Sequence, residues 1–179
     1  MVVLLAALAM REQGSEDSAM LIGVVSDTHG SVPSTQAAVR LLESLQVEAV
    51  LHCGDIGTAS IPPLFQKWPT HFVFGNCDYD RTEVARVITT HGLHCHERFG
   101  EIELGQRRIA LLHSDDATKF RQTIASGDYD LVCYGHTHQA EQHREGKTLV
   151  LNPGALYRAN PLSIATVDLE SMEVLFFSV

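Results

Sequence analysis

Positive charge is in short supply: 13 Lys and Arg stand against 22 Asp and Glu, a formal net charge of -9 over 179 residues. With no clustered basic stripe either, the chain is not expected to bind nucleic acid stably through counterion release. Cysteine is sparse and scattered. Cys53, Cys77, Cys95 and Cys133 form no CxxC pair, which argues against a disulfide framework or a structural zinc knuckle and for a reducing, cytoplasmic compartment. Long apolar runs are missing as well. Residues 1–10 are apolar but too short to span a bilayer and lack a basic flank, so no membrane association is expected. No internal repeat, low-complexity tract or linker splits the chain.

What remains is an ordinary globular composition, 45% hydrophobic and 20% charged, with ten histidines. The length suits one domain with a sizeable core. Residues 20–179 are expected to form that single domain, with residues 1–19 an N-terminal extension, disordered or docked.

The organising stretch is Val24-Val25-Ser26-Asp27-Thr28-His29-Gly30, an apolar run that stops at an Asp and a His two positions apart. If the apolar part is a buried strand, side chains two apart on an extended backbone point the same way, so Asp27 and His29 aim at one point. Downstream, residues 34–45 read as a helix and 47–52 as a second strand ending in Cys53-Gly54-Asp55, a βαβ pattern. A third strand over 71–74 ends in Gly75-Asn76-Cys77-Asp78, and residues 81–90 read as a helix. From residue 93 the texture changes: runs over 93–96, 99–104 and 107–113, separated by glycine-containing turns, suggest antiparallel hairpins. Residues 115–126 read as a helix and 131–134 as a strand ending in Gly135-His136-Thr137-His138. Strand-like runs over 140–144, 148–151, 163–168 and 173–177 close the chain around an irregular loop at 152–161. Loops rich in Asn, Pro and Gly commonly border a site.

Five strand ends thus deliver metal-capable side chains: Asp27 and His29, Asp55, Asn76, His113, then His136 and His138. Functional groups in α/β folds collect outside the carboxyl ends of strands. Seven ligands exceed one tetrahedral zinc but suit two adjacent ions with a carboxylate between them. Carboxylate, imidazole and amide oxygen together favour borderline divalent ions, manganese first, with iron, zinc, nickel or cobalt as alternatives. Taken alone, an Asp-x-His is more often a turn residue beside a satisfied histidine; the force lies in the joint pattern.

In this order, Asp27-x-His29, Gly54-Asp55, Gly75-Asn76, His113 and Gly135-His136-Thr137-His138 resemble the calcineurin-like metallophosphoesterases. Within them the chain is similar to the small single-domain phosphodiesterases of the YfcE and Vps29-like group, which share the Gly-Asn-Cys-Asp and Asn-Pro-Gly features. The resemblance implies an α/β fold, a four-layer α/β/β/α sandwich of two mixed β-sheets flanked by helices. It implies that Asp27, His29 and His138 hold one ion, Asn76, His113 and His136 the other, and that Asp55 bridges them. It further implies a phosphodiesterase that hydrolyses small phosphodiesters or nucleotides by attack of a metal-bound hydroxide, with Asp55 and Asn76 as catalytic residues and Asn76 and Arg158 contacting the phosphoryl group. An acidic chain suits such a substrate because bound metal ions reverse the local field. A homo-oligomer is compatible with all of this. The alternative is a Vps29-like interaction scaffold with weak or no catalysis.

Two departures bear on specificity. Many relatives carry a histidine after the site Asn, where it can protonate the leaving oxygen; here Cys77 stands there, so diesters with good leaving groups are the expected substrates. Ser114-Asp115 follows His113 where relatives commonly have Gly and His. The cluster of His91, His94 and His96 around Cys95 reads as a solvated edge strand, His52 as a core residue, and His71 and His143 as surface residues.

Overall fold

The structure, a computed structural model, describes residues 20–179, so the expected extension over 1–19 lies outside the described residues. Two mixed sheets pack face to face. In the first, the order is β11 (Glu173–Ser178), β10 (Ser163–Asp168), β1 (Leu21–Val25), β2 (Ala49–His52), β3 (Thr70–Phe72) and β4 (His94–Cys95). Strands β1 to β4 run parallel, while β10 and β11 are antiparallel additions. In the second, the order is β5 (Phe99–Leu104), β6 (Arg107–Leu112), β7 (Leu131–Cys133), β9 (Thr148–Pro153) and β8 (Ala140–Glu145), with β6, β7 and β9 parallel.

Alternation along the strands decides the layering. Ile22 and Val24 of β1 join Ala49, Leu51, Ile109, Leu111, Leu131, Leu149 and Val167 in a core between the sheets. The alternate residues Val25 and Val50 face outward, against α1 (Val32–Ser44), a 3-10 turn at Pro62–Phe65 and α2 (Arg81–Thr90). The outer face of the second sheet packs Ala110, Leu112, Val132 and Val150 against Phe120 and Ile124 of α3 (Ala117–Ser126). This is the α/β/β/α sandwich expected from the sequence.

Each helix has a local cause. Pro33 sits in the first turn of α1, where its missing N–H costs nothing, and Ala38, Val39 and Leu42 form its inner stripe. Asp80 caps α2 through the Glu83 N–H at 3.3 Å. Asp116 caps α3 through the N–H groups of Thr118 and Lys119, and Gly127 ends it at φ 66°.

Two expectations are corrected. Residues 94–95 do not form a hairpin with the strand that follows; α2 acts as a crossover and returns the chain parallel to β3, leaving β4 as the sheet's edge. Only β5 and β6 make the expected hairpin, around Gly105-Gln106. The irregular loop is also shorter at its start, because β9 continues through Asn152 and Pro153 opposite β8.

Candidate metal centre

The carboxyl ends of β1, β2 and β3 in one sheet and of β6 and β7 in the other meet at one rim of the sandwich. There the ligand-capable atoms of Asp27, His29 and His138 lie within 4.8 Å of one another, and so do those of Asp27, Asp55 and His113. His138 Nε2 is 3.2 Å from Asp27 Oδ1, and His113 Nε2 is 3.2 Å from Asp55 Oδ2. His29 Nε2 lies 3.5 Å from Asp55 Oδ2 and 3.4 Å from His138 Nε2. His136 is more exposed and places its ring 5.2 Å from that of His113. The Asn76 side chain is exposed and donates to Cys77 Sγ at 3.3 Å, while Cys77 N–H donates to Asp55 Oδ1 at 2.8 Å.

Convergence does not come from strand alternation, as the spacing of Asp27 and His29 suggests. Both residues lie past the end of β1 at positive φ, 54° and 43°, as do Asp55 at 51°, His136 at 85° and His138 at 58°. Left-handed backbone at non-glycine residues costs of the order of 1–3 kcal/mol each and persists where surrounding bonds over-determine it. Those bonds are present. The N–H groups of Asp27, His29 and Gly30 donate to the carbonyls of Gly54, Asp55 and Ile56 at 2.9–3.0 Å, fastening the first loop to the second.

Both carboxylates are anchored by one oxygen and offer the other. Asp27 Oδ2 accepts from Ser26 Oγ at 2.6 Å and from the His136 N–H at 3.1 Å. Asp27 Oδ1 and His113 Nε2 are buried without any hydrogen-bond partner, 3.9 Å apart. A buried polar atom left unpaired costs about 1–3 kcal/mol, more when charged, so two facing each other need a common partner. On the far side, the Cys53 carbonyl accepts from His113 Nδ1–H at 2.8 Å, which leaves Nε2 with its lone pair toward the carboxylates. A divalent cation satisfies all of these atoms at once, and the donor set of carboxylate and imidazole fits one.

Electrostatics follow from this crowding. Burial alone would raise the Asp55 pKa, but the adjacent His113 imidazole, together with the Cys77 N–H, holds it well below the usual carboxylate range. Burial would lower that of His113; Asp55, Asp27 and the Cys53 carbonyl outweigh it and leave it raised. His52, buried and close to His113, is pushed down to about 3 and stays neutral. It accepts from the Gly54 N–H through Nδ1 and contacts Thr28 Oγ1 at 3.0 Å through Nε2, a supporting role rather than a ligand's.

The glycines before Asn76 and His136 are a matter of space. A Cβ on Gly75 would stand 2.1 Å from Asp55 Oδ1, and one on Gly135 2.0 Å from Ser26 Oγ. Several residues outside the expected ligand set support the site. Asp78 is buried and accepts from the N–H groups of Gly57 and Gly75, both at 2.7 Å. Asn152 donates to Thr137 Oγ1 at 3.0 Å, tying its loop to the histidine-bearing one, and Ser114 Oγ donates to the Gly135 carbonyl at 2.9 Å. Asp115 instead pairs with Arg98. Tyr157 packs its ring 5.3 Å from that of His29 and carries the Arg158 guanidinium 5.0 Å above it; among the described residues Arg158 makes no ion pair. Cys77 is the residue the sequence placed nearby without position: its Sγ lies within 4.8 Å of ligand atoms of His29 and Asp55.

Comparison with known proteins agrees with this geometry. The profile of the calcineurin-like phosphoesterase superfamily domain matches residues 20–172. This chain belongs to that superfamily. Phosphodiesterase MJ0936 of Methanocaldococcus jannaschii is 28% identical over 159 residues, covering 86% of this chain and 96% of the relative. A solved archaeal phosphodiesterase superposes with a TM-score of 0.83 at 27% identity, covering 89% of this chain and all of that one. Vps29 of Entamoeba histolytica, solved with zinc, shares the fold at a TM-score of 0.62 and 21% identity, over 89% of this chain and 98% of that one. No helix among the described residues is long and apolar enough to cross a membrane.

Proposed function

We propose that the chain is a phosphodiesterase acting on small phosphodiesters or nucleotides at a centre of two divalent ions, manganese first among them. The observation that carries this reading is the facing pair of buried, unpartnered atoms, Asp27 Oδ1 and His113 Nε2, with Asp55 beside them. Asp27, His29 and His138 would hold one ion, Asn76, His113 and His136 the other, and Asp55 would lie between. Bound ions supply Lewis acidity, bringing the pKa of water toward neutrality and neutralising phosphoryl charge.

The chain's own residues do the rest. Asp55 is kept ionised by its neighbours and so presents a full carboxylate to the centre at any pH near neutral. Asn76, exposed at the rim, orients the phosphoryl group through its amide, and Arg158 contacts it from the Tyr157 ring. A cavity of about 390 Å³ that starts at His138 and is walled by Ala140, Pro161, Phe176 and Phe177 receives one ester arm. Four free cysteines, two of them buried, support a reducing, cytoplasmic setting.

Hydrolysis of bis(p-nitrophenyl) phosphate tests the proposal. Turnover is expected with added Mn²⁺, lost with chelator, and reduced at least about 100-fold in Asp55→Asn. A wild type inert under every metal would instead favour a protein-interaction scaffold, the reading that fold likeness to Vps29 keeps in play.

A further inference from the structure

Three histidines outside the centre come together at the β4 edge of the first sheet. His71 on β3 and His94 on β4 are register partners in a parallel pair, so their side chains share a face. His96 lies two residues on and returns to that face, its N–H extending the ladder to the Phe72 carbonyl at 2.9 Å. Cys95, between them, packs inward with the core beneath α2. The rings of His71 and His94 stack at 4.5 Å, and His71 Nδ1 meets His96 Nε2 at 2.9 Å.

We propose that His71, His94 and His96 form a second, separate binding site for a borderline divalent ion such as Zn²⁺, clamping the two-residue edge strand β4 to β3. A His-x-His pair on one strand with a third imidazole from its neighbour presents three nitrogen donors on a single face, the donor type that Zn²⁺, Ni²⁺ and Cu²⁺ favour. Two nitrogens at ~2.0–2.1 Å from one ion stand ~3.0–3.4 Å apart, close to the separation already present between His71 and His96. His94 lies stacked on His71 with its ring 6.5 Å from that of His96, and it is exposed, so binding requires this one ring to turn onto the ion. Two of the imidazoles are ready for metal at neutral pH: burial, then the neighbouring His94 and His96, push His71 down to about 4, and burial and His94 lower His96. Space is reserved as well, since a Cβ on Gly100 would press on His96 Cγ at 3.0 Å. Such a clamp answers a real weakness, because a two-residue edge strand has little pairing of its own.

The site differs from the central one in lacking carboxylates among these donors, so the two separate by experiment. Zn²⁺ titrated calorimetrically into the metal-stripped full chain should fill one more equivalent in wild type than in His71→Ala/His96→Ala. Exposed His94→Gln, which keeps the fold, should weaken that equivalent at least tenfold while leaving Mn²⁺-supported diester turnover unchanged. His143→Gln, on the distant strand β8, should change neither. Equal equivalents and equal affinity in wild type, His94→Gln and the double variant would overturn the site, as would loss of the extra equivalent in His143→Gln.

Discussion

Cys77 sits at the rim of the centre with its thiol among ligand atoms of His29 and Asp55. Burial, followed by the hydrogen bond and charge of Asp55, pushes the thiol up to about 11, so it is protonated at neutral pH and too weak an acid to match an imidazolium donor. Aryl diesters have leaving groups that depart without protonation. Cys77→Ala is therefore expected to turn over bis(p-nitrophenyl) phosphate within about threefold of wild type; a loss beyond tenfold in steady-state rate would assign the thiol a direct role. The same residue scale explains what the sequence hid. Asp27, His29, Asp55, His136 and His138 were legible as metal-capable residues at strand ends because residue type and order are one-dimensional facts. Their convergence was expected from strand alternation, but its cause was not legible, since it rests on positive φ at each of them and residue type alone does not show which Asp or His takes left-handed backbone.

At the scale of elements, the centre depends on loops that fit together with no spare volume. Gly75 lies just before the turn at Asn76-Cys77, and a methyl there would collide with both Asp55 Oδ1 at 2.1 Å and the Asp55 N at 2.6 Å. Gly75→Ala should thus displace Asp55, lowering stability by about 1–3 kcal/mol in urea unfolding and abolishing most metal-dependent turnover. An unchanged unfolding midpoint would show that the loop yields more than the close packing implies. The edge pair β3 and β4 carries a different prediction. His71 titrates near 6.5 when unfolded and at about 4 when folded, so between those values the unfolded chain binds more protons. Stability from this residue is full above about pH 6.5 and declines as the pH falls toward 4. In metal-free protein, the drop in urea midpoint from pH 6.5 to pH 4 should be smaller in His71→Asn than in wild type; equal drops would mean that His71 stays freely solvated. The sequence could not show this cluster. His94 and His96 were visible, but His71 joins them only because α2 carries the chain back into parallel pairing, a tertiary outcome that hydrophobic period does not encode.

Across the whole molecule, two sheets of different connectivity present the carboxyl ends of five parallel strands to one rim, and the acidic chain concentrates histidine there. The sandwich and its layers were anticipated through the family resemblance, and the structure gives their physical basis: alternation assigns Val24 and Val25 to opposite faces, one toward each core. The joining of the rims was implied by the family resemblance alone, because His113 reaches Asp55 from the second sheet rather than along the chain. That joining is what the proposed two-ion centre requires, and anomalous diffraction at the manganese edge from crystals grown with Mn²⁺ tests it most directly. The account predicts two peaks roughly 3.5–4 Å apart, one among Asp27, His29 and His138, the other among Asn76, His113 and His136, with Asp55 between them. No peak at Asp55, or a single ion held without His113, would contradict it.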